Sequence, residues 1–78
     1  MSKLHAKKLL KGKYWFKEED LAEPIDWKYL GSLPERVRIA LGAYMEGKVS
    51  LGKAAEMAGL SLRRMDEIRV KARIPLRV

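Results

Sequence analysis

The stretch Ser50-Leu-Gly-Lys-Ala-Ala-Glu-Met-Ala-Gly59-Leu60-Ser61-Leu-Arg-Arg-Met-Asp-Glu-Ile-Arg69 decides the fold. Ser50 stands where a hydroxyl accepts from a free amide of a first helical turn, and it predicts a helix over 51–58. That helix has a small apolar face of Leu51, Ala54, Ala55 and Ala58. Gly59 ends it, and Leu60 is the apolar residue of a tight turn. Ser61 caps a third helix over 62–72, with Leu62, Met65, Ile68 and Ala72 on its inner face. Two helices joined by a turn containing Gly, the second behind a Ser cap, follow the helix-turn-helix plan. The packing needs of that plan are met in order. Ala55 is small where the helices cross, Gly59 follows four positions later, and Met65 and Ile68 follow Gly59 by six and nine.

Upstream, Ser32-Leu-Pro-Glu35 reads as a capping box for a helix over 33–46. Val37, Ala40, Leu41, Tyr44 and Met45 share one face of it, and Gly47 ends it in a position that tolerates positive φ. Downstream, Pro75 stops the third helix and pushes Ile74 to extended geometry. Ile74, Leu76 and Val78 alternate with Pro75 and Arg77, which reads as a short edge strand. The expected fold is mainly α: a three-helix core with a helix-turn-helix, a short C-terminal β-strand and an N-terminal arm.

The charge falls in blocks. Residues 1–17 hold six lysines and no acid, residues 18–28 hold five acids against Lys28, and residues 29–78 hold ten bases and five acids. Blocks of this kind suggest an arm, a connector and a folded module, here 1–30 for the first two and 31–78 for the third. A short helix around Leu4, Leu9 and Leu10 is conceivable in the arm, ended by Gly12. Five of the six aromatics lie before residue 31, at Tyr14, Trp15, Phe16, Trp27 and Tyr29. Residues 14–30 read as irregular or short extended structure wrapped on the core, and their removal is expected to leave the helices foldable but less stable.

The chain has 78 residues, a net charge of +7 and a sequence pI of 9.9, with 47% hydrophobic residues. This suits one small basic binding module rather than a disordered tail. There is no Cys, and His5 is the single His, so disulfide staples, Cys-based zinc sites and a Ser-His-Asp triad are excluded. Neighbouring carboxylates at Glu18/Glu19 and Asp66/Glu67 point apart on a helix and suggest no catalytic pair. The expectation is a non-enzyme without metal or cofactor. Neither a membrane span nor a secretory signal is visible, and the expected location is cytoplasmic.

A recognition helix presents its N-terminal residues to base edges in the major groove of duplex DNA. With Met65 and Ile68 inward, the outward set is Ser61, Arg63, Arg64, Asp66 and Glu67. Arg63 is the best base reader, since guanidinium pairs with guanine O6 and N7 together. Arg64 and Arg69 suit a phosphate or a base. Asp66 and Glu67 could accept from cytosine, but better suit salt bridges that hold the arginines one turn away. Lys48, Ser50 and Lys53 are natural phosphate contacts; Arg36 and Arg38 are weaker ones. The plain alternative is a solvated helix face on a structural bundle.

The run Tyr44-Met-Glu-Gly-Lys-Val-Ser-Leu-Gly-Lys-Ala-Ala-Glu-Met-Ala-Gly-Leu-Ser61, with Arg63-Arg64 and Arg73-Ile-Pro75, resembles a family of small bacterial and archaeal proteins regarded as antitoxins of toxin–antitoxin pairs. The resemblance spans residues 35–78. It implies a helix-turn-helix repressor whose partner is often a PIN-domain ribonuclease toxin.

Specific operators are usually read by two copies, so a homodimer is expected. Ile74, Leu76 and Val78 would pair it through antiparallel terminal strands, with Arg77 outward. The alternative is that this segment folds back on Tyr14–Phe16 or Trp27–Leu30 of its own chain. Other functions stay open: a protein-interaction module that neutralises a partner, RNA binding through the basic and aromatic residues of 11–17, and, more weakly, a membrane surface contact.

Overall fold

The computed structural model describes residues 14–77. A 3-10 turn at Glu18–Asp20 is followed by four helices: α1 (Trp27–Ser32), α2 (Glu35–Met45), α3 (Leu51–Ala58) and α4 (Leu62–Lys71). The expected helix around Leu4–Leu10 lies outside the described residues.

α1 corrects the reading of residues 14–30 as irregular. It is only six residues long, contains Gly31 and carries two aromatics, so no apolar period could announce it. One capping bond starts it, from the Tyr29 amide to an Asp26 carboxylate oxygen at 2.9 Å. Tertiary contacts hold it. Leu30 and Ile25 are 1% and 3% exposed, the Trp27 indole donates to Glu18 at 3.1 Å, and the Lys71 ammonium sits 5.3 Å above the Tyr29 ring. A helix this short depends on such packing rather than on propensity.

The capping box at Ser32 is also corrected. Ser32 closes α1, and its hydroxyl donates to the Tyr29 carbonyl at 2.6 Å. Pro34 precedes α2 instead, and its carbonyl accepts from both Val37 and Arg38 at 3.0 Å. The inner face of α2 is as its period predicts: Val37, Ala40, Leu41, Tyr44 and Met45 are buried. Gly47 turns the chain away at φ 76°.

α2 packs on α3, and α3 on α4. Ala54, Ala55 and Ala58 are the buried residues of α3, so its backbone approaches its neighbours closely. Met65 and Ile68 anchor α4 in the core. Leu62, expected beside them, is 56% exposed. The first turn of α4 runs past the helices that cover Met65.

Among the described residues there is no strand, which overturns the C-terminal β-strand. Arg73 takes a left-handed φ of 63°. The Ile74 amide then donates back to the Arg69 carbonyl at 3.1 Å, a helix-closing bond that uses the donor a ladder would need. Ile74 is buried in its own core, at 2% exposure, while Leu76 is 50% exposed. The two therefore share no apolar face for a second copy, and Val78 lies outside the described residues. Arg77 does not stay outward. Its amide donates to the Tyr44 hydroxyl at 2.7 Å, and its guanidinium donates to the carbonyls of Gly47 and Val49 at 2.9 and 3.3 Å. The tail thus folds back on its own chain.

The segment before α1 lies on the same side. The Trp15 amide donates to the Met45 carbonyl at 3.1 Å, and the Trp15 ring meets Tyr44 edge-on. Tyr14, Phe16, Leu21 and Pro75 line a shallow cleft between this strap and the tail.

Candidate functional site

The face built by the α2–α3 turn, α3 and the first half of α4 gathers most of the predicted binding residues. Both serine caps form. Ser50 Oγ accepts from the Lys53 amide, and Ser61 Oγ accepts from the Arg64 amide, each at 3.1 Å. A hydroxyl that accepts keeps its own O–H for donation, so both caps retain a donor at the surface.

Gly59 makes the turn between the helices, at φ 72°. Its amide donates to Glu56 O at 3.1 Å, and the Leu60 amide donates to Ala55 O at 2.9 Å. Space matters here as well as φ: a Cβ at Gly59 would lie 3.1 Å from Arg36 Nη2. Arg36, weighed in the sequence as a minor phosphate contact, therefore lies against the C-terminal end of α3, where a cation is favoured.

The basic side chains divide by burial. Arg63, Lys48, Arg64 and Lys53 have side chains 91%, 71%, 61% and 60% exposed. Each faces an acid on its own segment. Lys48 pairs with Glu46 at 2.9 Å, Lys53 with Glu56 at 3.8 Å, Arg64 with Glu67 at 3.2 Å, and Arg63 with Glu67 at 4.0 Å. Exposed pairs of this kind are worth about 0–1 kcal/mol, so an incoming polyanion displaces the acids cheaply.

Arg69 has a different task. Its side chain is 12% exposed, and its Nε pairs with Asp66 at 2.9 Å. Its Nη1 donates to the Ile74 carbonyl at 2.8 Å. The helical period sets Arg69 apart from Arg63 and Arg64, but the bond to Ile74 depends on the path of the tail, which no local pattern reveals. Arg38 likewise bonds inward, to the Leu33 carbonyl at 3.0 Å. Arg77, absent from the predicted set, fastens the turn carrying Lys48 and Ser50. No signal in the sequence points to it, because its partners lie about 30 positions upstream.

The aromatics are engaged with one another. Tyr14 stacks on Phe16 at 5.4 Å and on Trp27 at 6.5 Å, and Trp15 meets Phe16 edge-on. Among the described residues no cluster of His, Asp and Glu could hold a metal ion, and no helix is long and apolar enough to cross a membrane.

Fold and site together define a small helical protein whose basic residues are displayed on two helices joined by a three-residue turn. The chain belongs to an uncharacterised protein family (UPF0175), whose model matches residues 32–78. The match takes in α2, α3, α4 and the tail. No curated protein and no solved structure matches the chain.

Proposed function

We propose that this protein binds duplex DNA sequence-specifically, as a small transcriptional regulator of the antitoxin type. One observation carries the reading. Met65 and Ile68 seat α4 in the core while Arg63 and Arg64 stand exposed in its first turn, behind a tight turn from α3. This is the disposition of a helix-turn-helix whose second helix enters the major groove. Arg63 and Arg64 are assigned to bases or phosphates, and Lys48, Ser50, Lys53 and Ser61 to phosphates. Arg69 drops out of the contact set, because its guanidinium is committed to Asp66 and Ile74.

The resemblance of residues 35–78 to antitoxins supports the regulatory role and a cytoplasmic setting. It also supports a PIN-domain ribonuclease as partner. A pairing of two copies on a two-fold operator belongs to the proposal, through a surface other than the terminal strand. The second reading, a module that only binds a partner protein, is favoured by exposed Val70 and Leu76 on and after the last turn of α4.

The test is a titration of labelled mixed-sequence duplex across salt concentrations. Four exposed cations that each neutralise a phosphate predict a log–log slope of about −3 to −4 per protomer. Duplex binding with that slope, exceeding binding to single-stranded RNA at equal salt, supports the proposal. No duplex binding at low salt overturns it in favour of the partner-binding module.

A further inference from the structure

The two adjacent acids of α4 face different environments. Asp66 pairs with Arg69, whose side chain is 12% exposed and which also bonds the Ile74 carbonyl. It belongs to the closure of α4 and the tail. Glu67 faces outward, 54% exposed, and its two carboxylate oxygens are divided between two arginines. Oε1 accepts from Arg64 Nη1 at 3.2 Å, and Oε2 lies 4.0 Å from Arg63 Nε.

A carboxylate on a face that meets phosphates lowers affinity for every sequence alike, by charge repulsion. A helix that needed phosphate affinity alone would be better served by a neutral residue. What Glu67 supplies is geometric. Arg63 is a long side chain with many rotamers and 91% exposure, so unrestrained it offers its guanidinium in many orientations. Holding it at Nε restricts that freedom and leaves the Nη1/Nη2 edge for another partner. That edge matches guanine O6 and N7 in the major groove.

We propose that Glu67 is a positioning residue for specificity: it holds Arg63 by Nε so that the guanidinium reads one guanine of the bound duplex, at the expense of affinity for DNA in general. This rests on the duplex-DNA reading above. The ligand class it names is duplex DNA with a guanine opposite the first turn of α4.

Selection from a random duplex library, followed by titration of matched and guanine-substituted duplexes, tests it on the full chain. The wild type, Glu67→Gln, Arg63→Ala and the double variant are compared at one salt concentration. The wild type should favour guanine at one position by about ten-fold. E67Q should bind mixed-sequence DNA more tightly, by about two- to five-fold for one repulsive charge removed, while losing most of the guanine preference. Its thermal transition should move little, since an exposed pair contributes little to folding. R63A should lack the preference at that position, and adding E67Q to it should change base preference no further. An undiminished guanine preference in E67Q overturns the proposal. So does an E67Q effect on base preference that persists without Arg63, since Glu67 would then read a base itself. A wild type that binds no duplex at low salt fails earlier and overturns the DNA reading along with it.

Discussion

Three residues turn the chain with positive φ, and one of them is not glycine. Gly47 and Gly59 sit at 76° and 72°, and Arg73 at 63°. An L-residue in this region costs about 1–2 kcal/mol relative to its usual conformations. Arg73 bears that cost because the chain must turn sharply there. Its amide donates to Val70 O at 3.0 Å, and the next amide donates to Arg69 O. Arg73→Gly is therefore expected to stabilise the protein, by about 0.5–1 kcal/mol once the greater freedom of glycine in the unfolded chain is deducted. Gly59→Ala should do the opposite, by about 1–2 kcal/mol. The new methyl would also press on Arg36 Nη2, but a guanidinium end can move aside, so most of the cost is backbone. Urea midpoints of both variants check the pair. A lower midpoint for Arg73→Gly would mean that the Arg73 side chain contributes more than its backbone costs.

At the scale of elements, the end of α4 and the tail behave as one unit through Arg69. Removing its side chain takes away a charge-assisted bond to Asp66 and another to Ile74 O, both at a side chain only 12% exposed. Arg69→Ala is expected to cost about 1–3 kcal/mol of stability. The salt slope of duplex binding by the folded protein should be unchanged, whereas Arg63→Ala should cost little stability and lower the slope. A reduced slope for Arg69→Ala would return it to the phosphate contacts. The elements legible in the sequence are those whose signals are local. Ser50, Ser61 and Gly59 each act within a few residues, so α3, its turn and the start of α4 match their reading. The inner face of α2 was legible because five apolar residues repeat at one period. Ser32 misled because two helices compete for one hydroxyl, and only Tyr29, in a helix with no apolar period, shows which one takes it. The terminal strand misled because three alternating residues are too few to separate a strand from a helix-closing turn. In the candidate site the exposed set Lys48, Lys53, Arg63 and Arg64 was legible from charge and period. Arg69 and Arg77 were not, because their partners depend on where the tail runs.

On the scale of the whole molecule, the boundary drawn at residue 30 passes through α1 and through the core. Ile25 and Leu30, 3% and 1% exposed, lie on its N-terminal side. The Asp26 amide donates to Ala72 O and the Trp15 amide to Met45 O, so this segment ties the ends of α4 and α2. Burying two such side chains contributes about 3–6 kcal/mol, an upper figure because unfolded chains already bury some apolar surface. A core of this size supplies about 3–5 kcal/mol in all. The two figures overlap, so a chain lacking residues 1–30 has little or no net stability left. This reverses the expectation that the remaining helices fold alone. Deletion of residues 1–30 should abolish the cooperative thermal transition seen by circular dichroism. The double variant Ile25→Ala/Leu30→Ala should lower the transition in the full-length chain without changing which residues face DNA. A cooperative transition in the deleted chain would mean that α2, α3 and α4 form a self-sufficient domain and that the strap serves a partner rather than the fold. Its absence would make the strap part of the platform that holds α4 in place for binding.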